Sequence, residues 1–495
     1  MIQNTDSQEK KQEAATYVAA IDIGTTKIVA MAGKRTGKDK IEVLDFCKAA
    51  SQGIRRGEVL NLNDASQVIQ QVVSTLQQRI NMKISHVFVG VAGQHIEMIS
   101  TRSYINRTVP EEKITAAEVE NLKKDAYNYG LPAGKEIIHV IPQSYIVDDN
   151  LDITNPVGMI GKRLEGNFSV IVGSIDSLQR IKRCVEDASL HIEEIILEPL
   201  ASSDAVLFPR EKNTGVALVD IGGGTTDVAI FYDDILRHSA VIPFGGTVIS
   251  EDIRKVVGLT FEEAEKLKIE FGMALPDGES ENNIIVIPCE IPGQSEKELS
   301  VKHLIGIIQA RMEEIIDQVV FHIEQSGYGN LLGSGIVITG GGALLRHLAQ
   351  LVSYKTGQSV RIGYPGQFLA SDAEKVNEPL FATAVGLLMQ GLQYMDAHPA
   401  SKSYAPSDIR QTPRPAPRPT PVPPPVTETV FQPAERSNDD IDNGFGETET
   451  ESHFSVRPQE KAQDGNPKNG GVLNSFFSKI STFFEEKDVD ENDRM

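Results

Sequence analysis

Two stretches of this chain carry one pattern 198 residues apart: "AAIDIGTTKIVA", holding Asp22, and "ALVDIGGGTTDVAI", holding Asp220. In each, an apolar strand ends on an aspartate, followed by Ile-Gly and a turn of Gly and Thr. Glycine lets such a turn tighten and bring backbone N–H groups to bear on an anion, and threonine hydroxyls add donors. A carboxylate beside phosphate suits magnesium, which keeps most of its waters and is held through one or two acidic groups. One copy alone is equally well a Gly-rich β-hairpin turn. Two copies in corresponding positions predict two paired domains with a cleft between them, each supplying one loop. A third stretch, "GIVITGGGALLRHL", reads as strand, triple glycine and helix. It places Gly340, Gly341, Gly342 and Ala343 at a helix N-terminus, where backbone donors and the dipole favour an anion. By itself it is also a tight strand–helix turn.

Between about Tyr17 and Asp396, short runs rich in Val and Ile alternate with amphipathic segments. "YVAAIDIG", "HVFVGVAG", "NFSVIVGS", "TGVALVDIG" and "GSGIVITGG" read as buried strands. "NDASQVIQQVVSTLQQRI", "SLQRIKRCVEDASL" and "KHLIGIIQARMEEIIDQVVFHIEQ" read as helices, the first with Asn63 or Asp64 as its N-cap. The expected class is α/β with more than one sheet. At 495 residues the chain is long enough for several cores, and its net charge of -21 argues against nucleic acid as a partner. Cys47, Cys184 and Cys289 form no CxxC or Cys/His spacing, which points to a reducing compartment and no zinc site. The polar N-terminus does not read as a signal peptide, and no run approaches the ~18 apolar residues of a membrane span. The expectation is a cytosolic protein whose membrane contact, if any, is peripheral.

Beyond Asp396 the composition changes. Ten of the 25 prolines fall between Pro406 and Pro433, an extended polyproline-type spacer. The acidic "ERSNDDIDNGFGETETES" that follows cannot bury enough apolar surface to fold. Near the end comes "GGVLNSFFSKISTFFEEKD". There Leu473, Phe476, Phe477, Ile480, Phe483 and Phe484 recur at i, i+3, i+4, i+7, i+10 and i+11, the stripe of an amphipathic helix. Such a stripe opposite small polar residues suits burial at a bilayer's headgroup boundary. A groove on a partner protein, or docking on the body, is the other reading.

The three loops, in this order, resemble the phosphate and adenosine motifs of the actin/DnaK-chaperone/sugar-kinase ATPase superfamily. "IILEPLASSDAVL" and "EPLFATAVGLL" look like its two interdomain connecting helices. An insertion of about 80 residues in the first half, opening at "SHVFVGVAGQHIEMISTRSYINR", looks like that of the FtsA family of cell-division proteins. The resemblance implies a two-domain actin-like ATPase fold with an FtsA-type insertion subdomain, a disordered tether and a C-terminal amphipathic helix. It implies that ATP and magnesium are clamped between the halves. Gly24, Thr25, Thr26 and Lys27 would hold phosphates from one side, and Gly222, Gly223, Gly224, Thr225 and Thr226 from the other. Gly245 and Gly246 would adjoin them, Glu265 and Lys268 would lie near ribose and adenine, and Gly340–Ala343 would bind the adenosine. Asp22, Asp220 and Asp227 would order the magnesium waters. Glu198 matches the residue that orients the attacking water in the chaperone branch, and is equally read as a buried polar hinge residue.

The domains expected on this basis are a disordered 1–16, a first domain over 17–85 and 167–199 interrupted by the insertion 86–166, and a second domain over 200–365 with an outer part near 233–300. Residues 366–396 return to the first domain, 397–471 form the linker, and 472–487 the membrane-targeting helix. The implied partners are FtsZ, other division proteins, further copies of the chain in a filament, and lipids on the cytoplasmic face of the bacterial inner membrane at the division site. At most slow ATP hydrolysis is expected. An MreB-like cell-shape filament protein, or an ATPase or kinase of the same fold, is the alternative.

Overall fold

The computed structural model describes residues 16–36, 40–127, 130–278, 282–288, 295–370, 374–398, 407–408 and 454–458. The stripe at Leu473–Phe484 and most of the linker lie outside the described residues. The chain divides into two units, Met1–Asp277 with Lys302–Thr448, and Gly278–Val301 with Glu449–Met495.

The larger unit contains two five-stranded sheets of the same design. The first runs, edge to edge, Lys40–Ala50, Lys27–Thr36, Tyr17–Ile23, His86–Val91, His191–Leu197. The second runs Ile235–Ile242, Thr226–Tyr232, Val216–Ile221, Ile336–Thr339, Val360–Ile362. In both, three antiparallel strands form a meander and two parallel strands extend it. The Asp-bearing strand is central in each. Asp22 and Asp220 each stand one residue before their strand's end, so the sequence repeat is also a repeat of register.

Two helices lie between the sheets, Glu198–Val206 and Ala382–Ala397. A single apolar core joins Val18, Ala20, Val29 and Met31 of the first sheet to Val216, Leu218, Ala229 and Phe231 of the second. It runs through Ala201, Ala205, Val385, Leu388 and Leu392 of the two helices. The helices cross where a Cβ on Gly386 would come within 1.8 Å of the Ala201 carbonyl oxygen. Only glycine permits that approach, because the obstacle is backbone and cannot rotate away.

The far face of the first sheet is covered by Leu62–Ile80 and Ile175–Asp187. In the former, Ala65, Val68, Ile69, Val72, Val73 and Leu76 fall on one face and are buried. Its N-cap is Asn61, whose side chain accepts from the Asn63 and Asp64 backbone N–H groups, so the helix starts before the expected Asn63 or Asp64. The cap reaches forward two and three residues, so the expected Asn63 and Asp64 are the residues whose N–H groups donate to it.

The insertion is a four-stranded antiparallel sheet in the order Asn150–Ile153, Lys135–Val147, Arg163–Ser174, Glu97–Asn106. The helix Ala116–Ala126 packs on it through Leu122 and Ala126, and is held at its start by a Thr115/Glu118 capping box. Its boundaries differ from the expected 86 and 166. His86–Val91 pairs with the Asp22 strand and belongs to the first sheet, while Arg163–Ser174 pairs on both edges inside the insertion. His86–Val91 and Arg163–Ser174 each contain a short apolar stretch, and composition alone does not say which sheet receives it.

The smaller unit is a three-stranded sheet, Lys297–Ser300, Asn283–Ile287 and Ser455–Pro458. Its third strand comes from the expected linker 397–471. So does Ser407–Asp408, which pairs with Met82–Lys83 in the larger unit. The linker is therefore not structureless throughout.

The helix crossing generates a test. Gly386→Ala is expected to lower stability by about 1–3 kcal/mol, the usual cost of overpacking a core. Gly306→Ala, in the helix Val301–Gln325 where an added Cβ meets nothing within 4 Å, should raise it by about 0.5–1 kcal/mol. Urea midpoints of the two variants should therefore move in opposite directions, and a common direction would remove the steric account of the crossing.

Candidate functional site

The two Gly/Thr loops are equivalent hairpin turns. Gly24 N–H donates to the Lys27 carbonyl at 3.0 Å, and Gly222 N–H to the Thr225 carbonyl at 2.9 Å. They face each other. A Cβ on Gly223 would come within 2.1 Å of the Thr26 side chain, and one on Gly224 within 2.5 Å of Thr25 Oγ1. The halves thus meet at Gly223–Gly224 and Thr25–Thr26, at the ends of the two Asp-bearing strands. Thr25 Oγ1 also accepts from Gly57 N–H at 3.0 Å, which ties the first loop to its own domain.

The loop at Gly245 and Gly246 braces the second turn from behind. Gly246 and Thr247 N–H groups donate to the Gly222 and Gly223 carbonyls at 2.9 and 2.8 Å, and Thr226 Oγ1 donates to Phe244 O at 2.8 Å. Lys268 and Glu265, on the helix Phe261–Phe271, reach the same place. Lys268 Nζ donates to Gly246 O at 2.9 Å and to Glu265 at 2.7 Å, and Ser250 Oγ donates to Glu265 as well. Burial pulls the Lys268 pKa down, against the pull of Glu265.

The third loop differs from its expected form. Gly341–Leu344 is a short 3₁₀ turn and the α-helix begins only at Leu348, so Gly340–Ala343 do not stand at an α-helix N-terminus. The reason is packing. Gly340 has φ +80°, and a Cβ there would sit 2.3 Å from Asp220 Oδ1; one on Gly342 would sit 2.3 Å from the Ile221 side chain. The loop is pressed against the end of the Asp220 strand, which keeps it from winding straight into a helix.

Behind the loops sit four carboxylates. Asp22 and Asp227 are buried; Glu198 and Asp220 keep a partial opening to solvent. Burial raises the pKa of all four. Asp22 goes to about 6, with Lys27 opposing and Asp220 adding to the rise. Glu198 stands well above the ordinary value, from burial and then from Asp22, Asp227 and Asp220. Asp227 is also well above, from burial and Asp220, and its Oδ1 has no hydrogen-bond partner. Asp220 is raised less, because Ser202 Oγ donates to it at 2.8 Å and Thr383 Oγ1 at 3.4 Å. Those hydroxyls come from the two crossing helices and lie 3.0 Å apart. Among the described residues no three His, Cys, Asp or Glu side chains could hold a metal ion directly. The cluster nevertheless fits a hydrated cation, which would relieve the mutual repulsion and give the bare Asp227 oxygen a partner.

Sequence reasoning missed Ser202 and Thr383, although both lie in the quoted helix segments; their convergence needs the helix crossing. It also missed His139. His139 Nε2, on an insertion strand, accepts from Leu197 N–H at 3.1 Å, immediately before Glu198. Burial, with Lys123 nearby, pulls its pKa to about 4, so the ring is neutral and its bare nitrogen free to accept. A cavity of about 740 Å³ lies apart from these loops, between insertion residues such as Arg102 and Gln143 and the hairpin residues Tyr232, Asp233 and Arg237.

Two sheets of identical order, hinged by two crossing helices and meeting at paired Gly/Thr hairpins, define an actin-like protein with an inserted domain. Comparison with known proteins agrees. The family description "Cell division protein FtsA" matches residues 217–386, and "SHS2 domain inserted in FTSA" matches 93–172. The cell division protein FtsA of Neisseria meningitidis serogroup B is 34% identical over 378 residues, covering 76% of this chain and 90% of that protein. FtsA of Pseudomonas aeruginosa is 33% identical over 381 residues, 77% and 90%. The solved PilM–PilN type IV pilus biogenesis complex shares the fold, with a TM-score of 0.55 at 16% identity over 76% of this chain and 98% of that one. The chain belongs to the FtsA family of cell division proteins.

The carboxylates generate a pH test. Each has a folded-state pKa above its unfolded one, so the folded state binds more protons between the two values and stability falls as pH rises through that window. For Asp22 the window runs from about 4 to about 6 and is worth about 3 kcal/mol at most; Glu198 and Asp227 act in the same direction. Ligand-free protein should therefore lose stability on this account as pH rises from about 4 to about 6. Asp22→Asn should flatten that slope in urea titrations at stepped pH. A slope unchanged by Asp22→Asn would mean Asp22 is not held protonated.

Proposed function

We propose that this division protein binds ATP with magnesium between its paired Gly/Thr loops, self-associates into actin-like protofilaments, and anchors FtsZ filaments to the cytoplasmic face of the inner membrane at the division site. The observation that carries the nucleotide reading is the meeting of two equivalent Asp-Ile-Gly hairpins across the hinge, backed by four carboxylates. Gly24–Lys27 and Gly222–Thr226 would hold the phosphates, Lys27 by charge and the rest by backbone N–H and hydroxyl groups. Gly245 and Gly246 would fix the second turn. Lys268 and Glu265 would border the ribose and adenine, and Gly340–Ala343 the adenosine. Asp22, Asp220 and Asp227 would order water around magnesium, whose charge favours their ionised forms. Glu198 would accept a hydrogen bond from the attacking water, with His139 and Leu197 fixing where its helix begins. Hydrolysis need only be slow if ATP serves to close the hinge and admit a neighbouring copy.

Family membership supports division partners, FtsZ among them. Among the described residues no helix is long and apolar enough to cross a membrane. The membrane reading rests on the sequence stripe Leu473, Phe476, Phe477, Ile480, Phe483 and Phe484. Six apolar side chains at about 1.5–3 kcal/mol each give a gross upper bound that partial insertion and helix ordering reduce. Lys479 is the sole basic residue within the stripe and "EEKDVDEND" follows, so apolar burial outweighs charge attraction. Weak anchors repeated along a polymer bind firmly by avidity.

Gly224→Asp places bulk and a carboxylate against Thr25, where a phosphate would lie. ATP affinity is expected to fall by orders of magnitude with the fold retained; unchanged affinity in a folded variant would remove the phosphate-loop assignment. Phe476→Glu with Phe483→Glu puts two charges into the stripe, at up to about 2.5–3.5 kcal/mol each at a bilayer centre and less at its interface. That variant should still bind ATP and FtsZ yet fail to bring FtsZ down with lipid vesicles in co-sedimentation. Sedimentation equal to the unaltered protein would assign the stripe to a protein groove instead.

A further inference from the structure

The sequence read 397–471 as one free tether, yet five described residues near its far end are folded. Ser455–Pro458 pairs antiparallel with Asn283–Ile287, in the register Ser455↔Val286, Val456↔Ile285, Arg457↔Ile284 and Pro458↔Asn283. One step further along that register Phe454 comes level with Ile287, and both are buried. On the opposite face Arg457 forms an ion pair with Glu298, reaching across the middle strand. Asn283–Ile287 and Lys297–Ser300 alone would be a two-stranded hairpin, marginal in water and open along one edge. The tail closes that edge. It does so with apolar residues alternating with polar ones, in a stretch otherwise dominated by acidic and small residues.

We propose that residues 454–458 are a built-in strand clamp that shortens the membrane leash. The clamp itself stands on the strand register, the buried Phe454 and the Arg457–Glu298 pair; its consequence for the leash rests on the membrane reading of Leu473–Phe484. With the clamp engaged, 14 residues (459–472) separate Pro458 from the stripe. Those can span about 50 Å at full extension. With the clamp released, the chain from Asp408 to Leu473 can span about 220 Å. Local concentration of the stripe near its anchor point falls roughly as the −3/2 power of tether length, so release dilutes it about ninefold. The clamp thus sets how far the body stands from the bilayer, and the open edge of Asn283–Ile287 is specific for an extended Phe-Ser-Val-Arg-Pro segment.

The test is amide hydrogen exchange on the full-length chain at concentrations where it is a single copy. Val456→Pro removes a backbone donor and cannot continue a strand. It should speed exchange at least tenfold for the amides of Asn283–Ile287 that point away from Lys297–Ser300. Arg457→Glu should do the same in part, and adding Glu298→Arg should restore protection. Unchanged exchange in Val456→Pro would overturn the clamp. Protection that appears only as protein concentration rises would assign the edge to a second copy's tail and overturn the intramolecular leash. On vesicles, the body-to-bilayer distance seen by electron cryotomography should lengthen and broaden in Val456→Pro, and an unchanged distance would overturn the leash. If neither protein binds vesicles, the membrane reading fails, and hydrogen exchange alone still decides the clamp.

Discussion

The architecture turns on one close approach, the helix bearing Gly386 laid against the Ala201 carbonyl of its partner. A side chain there would push the helices apart, and both sheets of the larger unit pack on them. Their contact fixes the spacing of the two Asp-bearing strands. It also brings Ser202 and Thr383 together so that both donate to Asp220. The same crossing therefore supports the core, sets the distance between the Gly/Thr loops, and leaves Asp220 the least perturbed of the four carboxylates in its cluster.

That cluster is electrostatically expensive in the ligand-free protein. Buried carboxylates near one another cannot all ionise, and Lys27 offsets only part of the repulsion. A core built for stability alone would place apolar residues there. Carboxylates perturbed in this way cluster at functional sites. The hinge helix that begins at Glu198 is thus both a structural joint and one wall of the carboxylate cluster.

The insertion is tied to both halves of the larger unit. His139 accepts from Leu197 N–H beside the hinge. Gln143 Nε2 donates to Leu236 O at 2.9 Å, and Arg237 Nη1 returns a bond to Gln143 O at 3.0 Å. One contact lies in the first sheet and the other in the second. The inserted domain therefore spans both halves, and any change of hinge angle must be accommodated at the Gln143–Arg237 contact.

Much of this was legible in the residues. Strand-Asp-Ile-Gly-Thr is a local pattern whose turn geometry follows from glycine and threonine themselves, so the paired loops, the two-domain design and the family could be read without coordinates. Local periodicity likewise identified the helices Leu62–Ile80, Ile175–Asp187 and Val301–Gln325 and five of the strands. What the sequence could not assign was partnership. His86–Val91 and Arg163–Ser174 each contain a short apolar stretch, and only pairing in space allots one to the first sheet and the other to the insertion. The Gly340 loop reads as a helix start until Asp220 and Ile221 crowd it into a 3₁₀ turn. Ser202, Thr383 and His139 carry no local mark, because their partners are up to 181 residues distant along the chain. Phe454–Pro458 looks like linker until the open edge at Asn283–Ile287 is seen. Short-range chemistry is written in neighbouring residues, whereas sheet edges, crossing helices and shared carboxylates depend on which distant segments meet, and tertiary packing alone decides that.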